Sequence, residues 1–545
     1  MRVSLYLFIA VGVSGGLLNA QETSKPVIEF VRSEVGFIRG QTDGQVDRFL
    51  GVPYAAPPIG NLRWKAPAPP PGWSGIRDAA ALGNECTQLQ NAKGGQVVAG
   101  SEDCLYLNVY RPANTRSRQL LPVFVFVHGG LNHRNSGNDY DPTEMVAETG
   151  IIVVTINYRL NVFGFLALPS LDTEADNPSS GNYGLLDQQA ALRWVHENIL
   201  GFGGDPTNVT LGGESAGAID TCANLASPGA AGMFNKIIME STYCPAAPHD
   251  EALATSAPVV TAAGCTDVQS AAACLRGKAA ADVLRAAVPL NPIVGGDTAI
   301  PAKGAGFNAS PNFGNNVLPV KPSDALTSGQ WNWASILLGS NHDEAAIFVA
   351  PAMIGKVKLP LSVDGHNAVV ASQYGSFAPA VLNEYQLDQY KNPFIAYADE
   401  ATDDSPFGCA ITQLSQTLSA SALIYRYEFD DAGAPTPGGN KAGLLAGLSL
   451  GAYHGSELQY LFKMTQLPGP QTPAQQQLSQ QMIRYWGNFV KTGNPNGAGL
   501  VSWPHYDAQM NQILSLRPDG NVVINNFDTD HHCSFWATAP GPPFK

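Results

Sequence analysis

The sequence predicts an α/β fold with a large, mostly parallel central sheet covered by helices on both faces. Two observations carry that reading. Short apolar or β-branched runs at Leu105–Tyr110, Val123–Val127, Ile151–Asn157 and Val209–Leu211 alternate with helical patterns, and the Gly184–Ile199 pattern lies between the last two runs. Strands that alternate with helices are joined by crossovers, and crossovers make parallel sheets buried on both faces. The second observation is Gly213-Glu214-Ser215-Ala216-Gly217, set between the run at Val209–Leu211 and a helix-compatible stretch from Ala218 to Ala226. A serine between glycines at a sharp strand-to-helix turn stands above the sheet over a helix N-terminus, where backbone N–H groups face developing negative charge.

Along the chain, Val27–Ile38 and Arg48–Tyr54 have strand character, and Pro- and Gly-rich sequence follows through Ser74. These read as edge strands and loops. Later strands are expected at Ile237–Met239, Ser335–Leu338 and Leu423–Tyr427, and Leu478–Val490 has the apolar spacing of an amphipathic helix. The stretch Asp430–Gly451 is rich in Gly, Ala and Pro and reads as a rim loop. There is no internal repeat, so one catalytic unit with insertions spans residues 21–545.

Composition narrows the function classes. Of 545 residues, 44% are hydrophobic and 14% charged, which suits a large core, and a net charge of −14 would repel nucleic acid and anionic membranes. Met1-Arg2, the apolar stretch Leu5–Leu18 and Asn19-Ala20 read as a signal peptide over residues 1–20, cleaved before Gln21. No later stretch has the roughly 18 uninterrupted apolar residues of a transmembrane helix. Export of the mature, extracellular chain favours structural disulfides for most of the eight cysteines. The sequence does not define an oligomeric state.

The glycine–serine pattern alone is weak, because average composition gives roughly 0.4 chance matches in a chain this long. Gly12–Gly16 and Gly447–Gly451 also match, but the first lies in the apparent signal peptide and the second has no β-branched run to make an incoming strand; only Ser215 has the required flanks. A serine hydroxyl needs a base, and the base needs an acid to hold its tautomer. Among ten histidines, His454 stands out on the glycine-flanked Gly451-Ala452-Tyr453-His454-Gly455. Asp343 and Glu344 follow the strand at Ser335–Leu338, and both qualify as the acid. His128-Gly129-Gly130-Leu131-Asn132 follows the Val123–Val127 strand, where consecutive glycines let N–H groups approach a carbonyl oxygen.

Together these elements resemble the type-B carboxylesterase/lipase family of α/β-hydrolases, which includes cholinesterases and fungal lipases, and are closest in character to secreted fungal-type carboxylesterases. Further signposts, in order, are Gly51-Val52-Pro53-Tyr54-Ala55, Leu62-Arg63-Trp64, Glu102-Asp103-Cys104-Leu105-Tyr106-Leu107-Asn108 and Asn157-Tyr158-Arg159. Gly181-Asn182-Tyr183-Gly184-Leu185-Leu186-Asp187-Gln188 and Phe202-Gly203-Gly204-Asp205-Pro206 follow. The resemblance implies Ser215 as nucleophile, Glu344 as acid, His454 as base, and the N–H groups of Gly130, Leu131 and Ala216 as oxyanion donors. It places Glu214 and Ser241 beside them in supporting roles, and makes Arg63–Glu102 and Arg159–Asp187 buried ion pairs. It also implies disulfides Cys86–Cys104, Cys265–Cys274 and Cys409–Cys533, leaving Cys222 and Cys244 undecided. Three residues depart from the family pattern: Leu131-Asn132 where Gly or Ala and often Phe are usual, Ala345 for Gly, and Thr242 for Gly.

The implied reaction is acyl transfer from a small-molecule ester through Ser215, with no metal or organic cofactor. Loop Thr87–Asp103 is shorter than a fungal-lipase lid and has no aromatic residue, which favours an esterase and disfavours choline esters. The rivals are a lipase or sterol esterase with an apolar gorge, and a noncatalytic adhesion protein.

Overall fold

The computed structural model describes residues 31–34, 36–92, 95–174, 180–287, 307–353, 361–404, 407–437 and 450–539. The signal peptide at residues 1–20 and most of the expected rim loop lie outside the described residues. Eleven strands form the main sheet: β1 (Gln41–Thr42), β2 (Val46–Pro53), β3 (Tyr106–Pro112), β4 (Leu121–Val127), β5 (Ile152–Ile156), β6 (Gly204–Glu214), β7 (Lys236–Glu240), β8 (Ser335–Asn341), β9 (Ile424–Phe429), β10 (Ile513–Leu516) and β11 (Val522–Ile524). Their spatial order is β11-β10-β9-β8-β7-β6-β4-β5-β3-β2-β1. The seven strands from β10 to β5 run parallel, whereas β1, β2, β3 and β11 pair antiparallel at the edges.

The strand pattern accounts for the two covered faces. Val123, Val125 and Val127 of β4 join one apolar cluster, while Phe124 and Phe126 join another on the opposite side. Side chains alternate across a strand, so a run with no polar break has both faces buried. Among the helices, α1 (Thr143–Thr149) and α7 (Pro473–Thr492) cover the phenylalanine side, and α2 (Tyr183–Asn198), α3 (Ala216–Ala226) and α6 (Cys409–Ser419) the valine side. Two further helices, α4 (Ala346–Met353) and α5 (Pro393–Asp403), follow β8. Helix α7 begins with a capping box between Thr472 and Gln475, and Pro473 occupies its first turn.

Several expectations change in detail. The Val27–Ile38 run is not one strand: Val31–Ser33 and Gly36–Arg39 pair antiparallel as a small hairpin beside the main sheet. Strands β10 and β11 were not anticipated, because four- and three-residue strands are too short to give a periodic signal. Register aligns the carboxyl ends of four strands, pairing Gly213 with Val127, Glu214 with Glu240, and Glu240 with Gly339. The loops that leave β4, β6, β7 and β8 therefore converge at one end of the sheet.

Disulfides join Cys86–Cys104, Cys265–Cys274 and Cys409–Cys533, and Cys222 pairs with Cys244. Cys409–Cys533 closes the longest loop, spanning 124 residues. Chain entropy predicts that Cys409→Ser with Cys533→Ser costs about 5 kcal/mol. Chemical denaturation of the double variant, compared with the parent chain, should read that loss as a lower midpoint, with a steeper slope because the freed unfolded chain exposes more surface.

Candidate active site

Strand β6 ends at Glu214 and helix α3 begins at Ala216, so Ser215 carries the whole turn. Its φ of 56° and ψ of −125° lie in a region that side chains avoid. Holding a residue there costs on the order of 1–3 kcal/mol. Packing on all sides keeps it in place: the Ser215 amide donates to the Glu240 carbonyl at 2.9 Å, and both flanking glycines press against β4. A Cβ on Gly213 would lie 2.6 Å from the Val127 carbonyl oxygen, and one on Gly217 would strike the Val127 and His128 carbonyls. Glycine is required at both positions because a neighbouring backbone fills the space.

The two acids that the residues alone could not rank are separated by geometry. Glu344 is fully buried, and its Oε1 accepts from the Asn341 amide at 2.8 Å and from Ser241 Oγ at 2.5 Å. Its Oε2 is hydrogen-bonded to His454 Nδ1, and the His454 amide reaches the Glu344 carbonyl at 3.3 Å. Asp343 turns the other way. Its Oδ2 accepts from the Ala452 amide at 2.7 Å, so it braces the loop that carries His454 rather than the ring itself.

Ser215 and His454 approach the same place without a hydrogen bond between them. His454 Nε2 is buried, has no hydrogen-bond partner, and faces Glu214 Oε1 at 3.2 Å. Glu214 immediately precedes Ser215. Its other carboxylate oxygen lies beside Gly129, where an added Cβ would stand 2.6 Å from Oε2 and 3.1 Å from Ser215 Cβ. The serine elbow, the imidazole and the glycine loop therefore meet around the Glu214 carboxylate.

Burial controls the charges here. Burial raises the Glu214 pKa to about 7, with the His454 imidazole opposing and the Glu344 carboxylate adding to the shift. Burial of the His454 ring disfavours its charged form, but the Glu344 and Glu214 carboxylates outweigh that and raise its pKa. Two more acids stand behind them. Glu240, bonded by Trp486 Nε1 at 2.6 Å, is pushed up to about 8 by burial, and Glu457, bonded by Asn341, is held well above the usual carboxylate range by burial and its acidic neighbours. Neither had been assigned a role from the sequence. The available signal was an acid at the end of an apolar strand, Lys236–Glu240.

The glycine loop has an unusual backbone. Gly130, Leu131 and Asn132 have φ of 101°, 61° and 58°. Among the described residues, no group accepts a hydrogen bond from the amides of Gly130 or Leu131. The Ala216 amide, at the first position of α3, has no residue one helical turn back to accept it. A left-handed φ at position 131 favours glycine, and a leucine there stands at a cost of roughly 1–2 kcal/mol.

Asn132 offsets that cost with side-chain bonds. Its Nδ2 donates to Asp220 Oδ1 at 3.1 Å, and its Oδ1 accepts from Tyr158 Oη at 2.8 Å, which also lies 2.8 Å from the His128 carbonyl. Asp220, whose pKa burial raises to about 7, also accepts from Gln188 Nε2 at 2.6 Å. Asp220 was missed, although a lone acid within the apolar run Ala216–Ala226 was a readable sign. The other two departures are also satisfied: Thr402 Oγ1 accepts from the Ala345 amide at 2.9 Å and Thr242 Oγ1 from the Cys244 amide at 3.2 Å.

Phe348 and Phe407 pack on the His454 ring with centroids at 5.0 and 4.7 Å, and Tyr243 meets Phe407 edge-on at 6.3 Å. They give the imidazole an apolar wall. Farther out, Arg63 grips Glu102 through two contacts of 2.6 Å, and Arg159 grips Asp187 through two of 2.7 Å. Arg159, just after β5, and Asp187, in α2, are both buried.

Comparison with known proteins agrees with this architecture. The carboxylesterase family pattern matches residues 28–536. A para-nitrobenzyl esterase of Bacillus subtilis is 34% identical, covering 91% of this chain and 96% of its own length. A cocaine esterase of Homo sapiens is 31% identical, covering 92% of this chain and 88% of its own. Among solved structures, a para-nitrobenzyl esterase superposes with a TM-score of 0.73 at 32% identity, covering 93% of this chain and 99% of the other. A carboxylesterase of Geobacillus stearothermophilus gives 0.75 at 29% identity, with the same coverage. The parallel sheet, the serine elbow at its carboxyl edge and these likenesses agree: this chain belongs to the carboxylesterase family and is a carboxylic-ester hydrolase of the α/β-hydrolase fold.

Proposed function

We propose that this chain hydrolyses small-molecule esters through an acyl-enzyme on Ser215, with His454 as base and Glu344 as the acid that orients it. The observation that carries this is the His454 ring, held through Nδ1 by Glu344 while Nε2 stays free of hydrogen bonds beside the residue that precedes Ser215. Ser215 Oγ gives its proton to His454 Nε2 and attacks the ester carbonyl, and the alcohol leaves with that proton. Water then repeats the sequence on the acyl-enzyme. Serine–histidine bonds are often loose before substrate arrives and tighten when it excludes water, which fits the open Nε2. The amides of Gly130, Leu131 and Ala216 receive the developing oxyanion, each worth about 2.7–4 kcal/mol in the transition state. Ser241 holds the Glu344 carboxyl in place by donating to it, and Glu214 stabilises the imidazolium that forms.

An esterase is favoured over a lipase by the segment between Cys86 and Cys104. Its strands Gln88–Ala92 and Gly95–Ala99 pair as a hairpin, and Gln88 is bonded in both directions to the Asn135 backbone at 2.8 and 3.1 Å. A tethered hairpin is a poor interfacial flap. Four disulfides fit an oxidising compartment, and no helix among the described residues is long and apolar enough to cross a membrane. We therefore read residues 1–20 as a cleaved signal and residues 21–545 as one secreted catalytic unit.

An organophosphate should label Ser215 stoichiometrically, and Ser215→Ala should lower kcat at least about a thousand-fold. A peptide map with the adduct elsewhere would reject the nucleophile. The pH profile follows from the direction of the His454 shift. Neutral imidazole is the active form and its pKa is raised, so kcat/KM should fall as pH drops through a value above the ordinary 6.5 or so. Glu214→Gln removes one carboxylate that favours the charged ring and should move this limb to lower pH; a profile flat to about pH 4 contradicts a histidine base. With p-nitrophenyl esters from acetate to palmitate, rates should peak at short or medium chains and gain nothing from emulsified substrate. Preference for palmitate only above its solubility limit would instead identify a lipase.

A further inference from the structure

A second cluster of chemistry-bearing side chains lies behind the acid loop and takes no part in the proposed reaction. Among the described residues, His342, Glu428 and His531 bring one donor atom each to within 4.8 Å of one another. They come from three parts of the chain: the loop after β8, the end of β9, and the C-terminal turn beside the Cys409–Cys533 bridge. We propose that these three side chains form a site for a divalent transition metal, Zn2+ being the best fit.

Orientation is the first support. His531 Nδ1 lies 2.6 Å from Asp403 Oδ1 while its Nε2 points to Glu428 Oε1 at 2.9 Å. His342 repeats the arrangement, with Nδ1 3.4 Å from Asp343 Oδ1 and Nε2 3.7 Å from Asp530 Oδ2. Each imidazole thus has a carboxylate on one nitrogen and turns the other toward a shared space. Metal-binding histidines are held in this way, because the carboxylate fixes the tautomer and makes the free nitrogen a better donor.

Unpaired charge is the second and independent support. Glu428 is 1% exposed, and its Oε2 is buried with no hydrogen-bond partner. The two oxygens of a carboxylate lie close together, so Oε2 borders the same space as the Oε1 that meets His531. A buried carboxylate oxygen without a partner is costly, because nothing replaces the water it has lost. Asp343, Asp403, Glu428 and Asp530 gather around the two imidazoles, a negative setting that favours a cation.

Two imidazoles with carboxylate oxygens form a donor set of the kind zinc takes in tetrahedral sites. Three protein ligands leave the fourth position of a tetrahedral zinc to water, and the ion would tie together the three chain segments that supply them. Binding needs a bare nitrogen on each ring, so the metal displaces the proton between His531 Nε2 and Glu428 and any proton on the His342 donor nitrogen, and these pass to solvent. The bracing reaches the acid loop, because His342 lies two residues before Glu344 and Asp343 holds the Ala452 amide.

The test uses untagged full-length protein. Elemental analysis after growth with zinc should find about one zinc per chain, and chelator-stripped protein should take up Zn2+ again at micromolar concentration with a rise in Tm. Cobalt substitution should give visible d–d absorption of a tetrahedral site. Asp403→Asn should weaken zinc affinity by about 10–100-fold, and His342→Gln by at least as much. Because the titration of the unaltered chain decides the matter alone, a variant that fails to fold does not weaken the test. Stripped protein that neither binds zinc nor changes Tm would overturn the site and leave His531 as an imidazolium bridging Asp403 and Glu428. Equal zinc uptake by folded His342→Gln would also overturn it, by placing the metal elsewhere.

Discussion

The contact between the β6–α3 turn and the end of β4 is the constraint on which the rest of the site depends. Gly213 and Gly217 have no side chain because the Val127 and His128 carbonyls occupy that space. This close approach holds Ser215 in a strained backbone conformation, and the amide bond from Ser215 to Glu240 locks the turn to β7. It also brings the start of α3 against the loop that follows β4. Strain at one residue is tolerable because three parallel strands over-determine its position.

Charge distribution is the second theme. Glu214, Glu240, Glu344 and Glu457 are all buried within one region that holds one imidazole, and like charges so close cannot all ionise cheaply. The fold treats them unequally. Glu344 has donors from Ser241 and the Asn341 amide, whereas burial and neighbouring carboxylates push Glu240 and Glu457 toward neutrality. One carboxylate is thereby kept as the partner of His454, and the others are available as weak acids. Glu214 lies between these extremes and couples the imidazole to the serine turn.

A third feature is how this chain accommodates a non-glycine residue in the loop after β4. Leu131 and Asn132 both have positive φ, which only a local set of bonds can hold. Asn132 supplies them through Asp220 and Tyr158, and Gln188 satisfies the remaining oxygen of Asp220. The departure at 131 and 132 and the unexpected acid at 220 are thus two parts of one polar bridge. Neither residue explains itself when read alone, since a buried asparagine and a buried aspartate each need the other's hydrogen bond.

The linear sequence determined the strand–helix alternation, the burial of β4 on both faces and the singular setting of Ser215, because periodicity and turn chemistry are local properties. It also carried enough ordered motifs to mark the family and three of the four disulfides. It could not choose between Asp343 and Glu344 from residue chemistry, pair Cys222 with Cys244, or reveal the antiparallel edges and the short strands at Ile513–Leu516 and Val522–Ile524. Those depend on which segments lie side by side. Only the tertiary structure turned Glu344 toward His454 and Asp343 away, gathered the acids of β6, β7 and the 457 turn, and set His342 against His531. Distance through space and exclusion of water decide such matters, and neither is written in the spacing of residues along a chain.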